Sequence, residues 1–230
     1  MFPINDDNPT RITPFVTHIL IGLNIAIFIH EFTLSDAQLN NFFQLYAIIP
    51  VQLTAYLNGQ TVGQSVPEWA TLITSQFLHG GWWHLISNMV FLWIFGNNIE
   101  DRLGHIKYTF FYLTCGVLAG LCQWYIGMNS DIPSLGASGA ISGVLGAYLI
   151  RFPQALVNTL IFLGIFITTI RVPAWVLIGL FFAQNIFSGL MSLNAMNTQQ
   201  GGVAYWAHIG GFVFGVILSP FLGLFSEDEY

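Results

Sequence analysis

The sequence predicts an all-α membrane protein: a bundle of six transmembrane helices, with a long outer loop between the first and second, forming a single domain over residues 1–230. Three observations predict it. Of 230 residues, 54% are hydrophobic and only 7% charged, whereas an ordinary soluble domain carries about 25% charged residues. So few charges cannot cover a soluble fold of this size, and lipid is the solvent the composition requires. Apolar stretches of spanning quality occur at 14–32, 82–98, 106–128, 138–152, 174–191 and 204–224. With six spans and a cytoplasmic N-terminus, all five basic residues fall on the inner side, as the positive-inside rule prefers.

The opening "INDDNPTR" is polar and "NDDN" reads as a solvated tail, as does "SEDEY" at the other end. The first apolar run has no small-residue cleavage site after it and reads as a retained span. In the outer loop, about 33–81, Leu39, Phe42, Phe43 and Tyr46 recur at helical spacing. That stripe suits a short helix in the outer interface, and packing against the other helices fits it equally well. Arg102 and Lys107 separate spans two and three. Cys115 and Cys122 lie on span three with a rise of about 10 Å between them, too far for a mutual disulfide. Arg151 ends span four and Arg171 precedes span five.

"ALVNTLIFLGIFITTI" at 155–170 has the length of a marginal span. Counting it would put Arg151 and Arg171 on opposite faces and reverse the last helix. It is therefore expected as an interfacial or re-entrant element on the cytoplasmic side, where both termini also lie. No internal repeat or second soluble domain is evident. Nothing basic is clustered, which argues against a nucleic-acid partner.

Span four carries the chemistry. From Ser138 to Phe152 is 15 residues, about 22 Å of helix, against a hydrocarbon layer about 30 Å thick. With Arg151 at the cytoplasmic surface, Ser138 begins below the outer one, preceded by irregular backbone, "DIPSLGA". Such backbone is tolerated at membrane depth only when protein or a water-filled cavity surrounds it. The helix N-terminus there offers free N–H groups. Gly139, Gly143 and Ala147 recur every fourth residue, as do Ala207, Gly211 and Gly215 on span six. Small residues at that interval let two helices pack closely. Taken alone, Ser138 is a small interface residue of this kind, and Ser142 fits the same description.

Convergence points further. His208 lies one turn into span six below Tyr205 and Trp206, and His84 one turn into span two below Trp82 and Trp83. Aromatic residues of this kind mark the interface. Spans two, four and six run the same way, so Ser138, His84 and His208 share a depth, with Asn88 a turn deeper. Ionisable groups inside a membrane are costly and mark function. A serine hydroxyl needs a neighbouring base, and neutral His208 suits that role. The Ser138 N–H, the Asn88 amide and the His84 ring are candidate donors to an oxyanion. Spans four and six contain no Asp or Glu, so a dyad is expected. "GASGA" departs from the G-x-S-x-G elbow. There is no H-E-x-x-H, and His79 and His84 make a poor metal pair, so no metal or cofactor is expected. His79 reads as a hydrogen-bonding loop residue at the mouth of span two.

"HLISN" on span two, "GASG" on span four and "AHIGG" on span six, in this order, resemble the rhomboid intramembrane serine proteases. "GNNIEDRLG" and "GGVAYWAHIGGF" are similar to the bacterial members. The resemblance implies a six-helix core in a bacterial inner membrane and hydrolysis of peptide bonds in or beside transmembrane segments of other proteins. It assigns Ser138 as nucleophile, His208 as general base, and His84 and Asn88 as side-chain oxyanion donors. Glu100 and Arg102 match a bracing position, which this topology makes cytoplasmic and structural. Ser142 stands where other members place an aromatic ring on the catalytic histidine. The competing class is a non-catalytic rhomboid-like chaperone, or a small transporter using the same polar pocket.

Overall fold

The computed structural model describes residues 2–60, 63–163, 166–194 and 203–226. Strand β1 (Phe2–Asp6) leads into helix α1 (Phe15–Thr33). No side chain caps α1 from its own start. Its first N–H groups are taken instead by Glu100, which accepts from Val16 at 2.8 Å and Thr17 at 2.7 Å. A carboxylate at a helix N-terminus answers both the orphan donors and the dipole. The expected bracing role of Glu100 thus takes a concrete form: it ties the second predicted span to the start of the first.

The long connection holds three helices: α2 (Asp36–Tyr46), α3 (Pro50–Leu57) and α4 (Glu68–Thr74). A capping box between Ser35 and Gln38 starts α2, and Pro50 pre-sets the first turn of α3. Leu39, Phe42, Phe43 and Tyr46 lie on α2 and are half-buried. The Phe42 ring packs against His30 and Tyr46.

Helix α5 (Trp82–Phe91) passes through a π-helical segment, Leu92–Gly96, into α6 (Asn97–Leu103). Then follow α7 (His105–Ile126), α8 (Ser138–Arg151), α9 (Ala174–Asn194) and α10 (Tyr205–Phe221). Helices Phe15–Thr33, His105–Ile126 and Ala174–Leu193 are long and apolar enough to cross a membrane, and Tyr205–Phe221 is a shorter apolar helix. Large apolar side chains such as Leu23, Phe110, Leu180 and Phe187 stand exposed on them, as an apolar solvent allows. This is an integral membrane protein.

Helix α8 is the centre. Every residue from Gly139 to Tyr148 is buried, so it is apolar all round and touches protein rather than lipid. It packs on α7, α9 and α10. A Cβ on Gly211 would lie 2.0 Å from the Gly139 carbonyl oxygen, and one on Gly215 would lie 2.0 Å from that of Gly143. The small residues read from the sequence are what let α8 and α10 meet backbone to backbone. Cys115 and Cys122 are free thiols.

Two expectations are corrected. The fold is not wholly α-helical: residues 155–170, expected as an interfacial or re-entrant element, contribute to strands β2 (Leu156–Leu163) and β3 (Phe166–Pro173). These pair antiparallel, with Val157 opposite Val172 and Thr159 opposite Ile170. Val, Ile and Thr dominate the run, and β-branched side chains favour the pleated conformation. The second correction concerns "NDDN". It is not a solvated tail, because β1 completes a sheet ordered β1-β2-β3. Asp6 lies opposite Val157, and Asp7 exchanges backbone and side-chain hydrogen bonds with Leu156. The open edge of β2 supplies the unpaired groups that the N-terminal segment satisfies. Of "SEDEY", residues 227–230 lie outside the described residues.

Candidate active site

Ser138 is the first residue of α8, and no side chain caps that helix. The segment before it is held by backbone bonds. Ile48 and Ser134 exchange both hydrogen bonds, and the Gly136 N–H donates to the Ser75 carbonyl at 2.8 Å. Gly136 adopts φ +121°, and a Cβ there would lie 2.7 Å from His84 Nε2. Only glycine meets both conditions. The turn thus delivers Ser138 beside the His84 ring without filling the gap between them.

His208, one turn into α10, is buried. Its Nε2 lies 2.7 Å from Ser138 Oγ, which is hydrogen-bond distance for a nucleophile and its base. The serine and histidine that the sequence picked from separate helices meet. The other ring nitrogen is also engaged: His208 Nδ1 lies 2.7 Å from Asn185 Oδ1. Asn185 is buried on α9 and escaped sequence reasoning, which sought a carboxylate on spans four and six. The available signal was an amide set in an otherwise apolar span. Ser142, buried on α8, supplies no ring to His208. Phe181 of α9 does so, at 6.0 Å between centroids.

His84 lies on α5, and its Nδ1 accepts from the Gly80 N–H at 3.4 Å. An acceptor at Nδ1 leaves the proton on Nε2, the nitrogen nearest Gly136. Asn88 is buried one turn on, and its amide nitrogen has no partner among the described residues. The Ser138 backbone N–H belongs to the first turn of α8, whose donors lack intrahelical acceptors. Beneath Ser138 lies a cavity of about 20 Å³ lined by Ser75, Gln76, Gly136 and Ala207, room for about one water molecule.

His79 lies in the loop just before α5, as expected, and hydrogen-bonds there through its backbone. It is buried and uses its backbone N–H on the Glu31 carboxylate, while its ring packs edge-on against His84 at 5.0 Å. Burial first, and the His84 ring second, push its pKa down to about 3, so it stands neutral beside His84. Among the described residues no group of three or more His, Cys, Asp or Glu side chains is arranged to hold a metal.

The Rhomboid domain model matches residues 66–225, which is most of the chain. The chain belongs to the rhomboid family. It is 32% identical over 165 residues to "Rhomboid protein 1, mitochondrial" of Saccharomyces cerevisiae, covering 69% of this chain and 43% of that protein. Against "Rhomboid-like protein 11, chloroplastic" of Arabidopsis thaliana the identity is 31%, over 70% of this chain and 55% of the relative. Against "Rhomboid protease GluP" of Bacillus subtilis it is 34%, over 68% of this chain and 27% of the relative. The match therefore spans about half or less of the length of these curated rhomboid relatives. Their names include a protease and proteins called only rhomboid or rhomboid-like.

Proposed function

We propose that this rhomboid is an intramembrane serine endopeptidase that hydrolyses peptide bonds in or next to transmembrane segments of other membrane proteins. The observation that carries the reading is the 2.7 Å approach of His208 Nε2 to Ser138 Oγ. In this mechanism His208 takes the hydroxyl proton as Ser138 Oγ attacks the scissile carbonyl. The resulting oxyanion is received by the Ser138 N–H, the Asn88 amide and His84 Nε2–H. A buried amide left without a partner is costly, and a charge that appears only during the reaction accounts for it. The tetrahedral species then collapses, His208 returns the proton to the leaving amine, and the acyl group stays on Ser138. Water attacks that ester with His208 again as base, releasing the acid and restoring the serine. No metal or cofactor enters.

The same reading makes residues 1–230 one domain with six spans, placed in a bacterial inner membrane with both termini cytoplasmic. GluP, a relative named as a protease, comes from a bacterium, whereas two other relatives are named as mitochondrial and chloroplastic. The deciding experiment compares purified wild type with Ser138→Ala on single-span substrates in detergent or proteoliposomes. Cleavage should vanish while folding and insertion persist, and a fluorophosphonate should label Ser138 only while His208 is intact. Cleavage by Ser138→Ala at the wild-type rate would overturn the reading in favour of a chaperone or transporter.

A further inference from the structure

Resting on the protease reading, we propose that Asn185 is a positioning residue that fixes the tautomer and ring plane of His208. Both ends of the Asn185 amide are committed. Its Nδ2 donates to the Phe181 carbonyl one turn back on α9, at 2.8 Å, and its Oδ1 faces His208 Nδ1 at 2.7 Å. Turning the amide over would set Oδ1 against the Phe181 oxygen, two acceptors facing each other, so the helix backbone dictates which end His208 meets. An acceptor at Nδ1 requires the proton there. That leaves Nε2 with its lone pair toward Ser138 Oγ, the only tautomer able to take the serine proton. The opposite tautomer would make Ser138 Oγ the acceptor, with no lone pair left to take its proton, and would leave two lone pairs facing each other at Asn185.

Phe181 assists from the same helix. Its carbonyl holds the amide and its ring packs against the imidazole. The support comes from α9, because neither α8 nor α10 carries a side chain that does this. A neutral amide orients the base without the charge that a buried carboxylate would bring.

The plain competitor is an interhelical hydrogen bond that merely fastens α9 to α10. Two variants and a spectrum separate the two. Asn185→Leu removes the acceptor at similar volume, and Asn185→Asp restores one at the same reach. On a single-span substrate, Asn185→Leu should lower kcat by about 10- to 100-fold, the scale of one lost buried hydrogen bond. KM should stay within about twofold, fluorophosphonate labelling of Ser138 should slow in step, and Asn185→Asp should recover most of the loss. Nitrogen-15 histidine NMR, with His208 signals identified by their loss in His208→Ala, should show the Nδ1–H tautomer in wild type and in Ser138→Ala. That population should collapse in Asn185→Leu. Wild-type kcat in Asn185→Leu, or an Nε2–H tautomer in the wild-type protein, overturns the proposal. The spectrum decides even if Asn185→Leu fails to fold. Retained cleavage in Ser138→Ala would sink the protease reading while leaving the tautomer measurement intact.

Discussion

A carboxyl group at the base of the molecule gives this protein a pH dependence that can be worked out residue by residue. Asp6 sits on β1 and accepts a hydrogen bond from the Tyr148 hydroxyl of α8. Burial is the larger influence and raises its pKa from 3.8 to about 6, while the Tyr148 bond pulls the other way. A folded value above the unfolded one means that the folded form binds the proton more tightly. The linked stability is full below about pH 4 and is lost as pH rises through about 6. Discounted for the partial exposure of Asp6, the loss is about 1–2 kcal/mol. Thermal unfolding in detergent from pH 4 to 8 should show wild type losing ground against Asp6→Asn over that window, and parallel curves would refute it. Single residues also mark how far the site could be read in advance. Ser138, His208, His84 and Asn88 stood out because polar groups at membrane depth need a reason. Asn185 did not, because an amide in an apolar helix ordinarily satisfies its own helix or a neighbour. In the folded protein it does one with Nδ2 and the other with Oδ1.

At the scale of elements, the contact between α8 and α10 places Ser138 and His208 together, and glycine backbones make it. A methyl on Gly211 would overlap the Gly139 carbonyl at 2.0 Å, and backbone cannot swing aside as a side-chain tip can. Gly211→Ala should therefore destabilise the protein by about 1–3 kcal/mol or more and lower activity by separating Ser138 from His208. Gly22→Ala on α1 is the control, since nothing lies within 4 Å of its new methyl. It should be neutral or stabilising by up to about 1 kcal/mol. Equal melting temperatures for the two variants would refute the close-packing account. The spacing of these glycines was legible because a four-residue interval on two apolar helices has few other uses. The sheet was not. An apolar, β-branched run reads as strand or buried helix until its partner is known, and the partner of β2 on one side is Phe2–Asp6, about 150 residues away. The π-helical segment at Leu92–Gly96 had no sequence signal at all.

For the whole molecule, hydrogen bonds within the protein sort the chain into two ends. At one end Asp7 bonds Leu156, the Arg11 N–H donates to Asp101, and Arg102 donates to the Ser226 carbonyl. Asn158 lies opposite Arg171 in the sheet. These contacts draw Arg11, Arg102 and Arg171 together, and Arg151 and Lys107 adjoin the same segments. At the other end Ile48 pairs with Ser134, the Thr54 hydroxyl donates to the Met128 carbonyl, and the Ala207 N–H donates to Gln123. The chain passes between these ends along α1, the α5–α6 run, α7, α8, α9 and α10. This supports six crossings even though three helices alone satisfy the length and hydropathy of a span. The shortness of α8 then carries no mismatch penalty, because its neighbours rather than lipid surround it. With the five basic residues gathered at one end, the positive-inside rule predicts that this end faces the cytoplasm. In a background with Cys115 and Cys122 replaced by Ala, a cysteine at Asn58, beside the outer helices, should react with a membrane-impermeant maleimide in intact cells. A cysteine at Gln154, beside the sheet, should react only after permeabilisation. Labelling of both from the same side would break the six-crossing topology and move Ser138 and His208 to a different depth. Labelling of Gln154 alone would keep the crossings and invert the protein, setting its basic end against the rule that governs insertion.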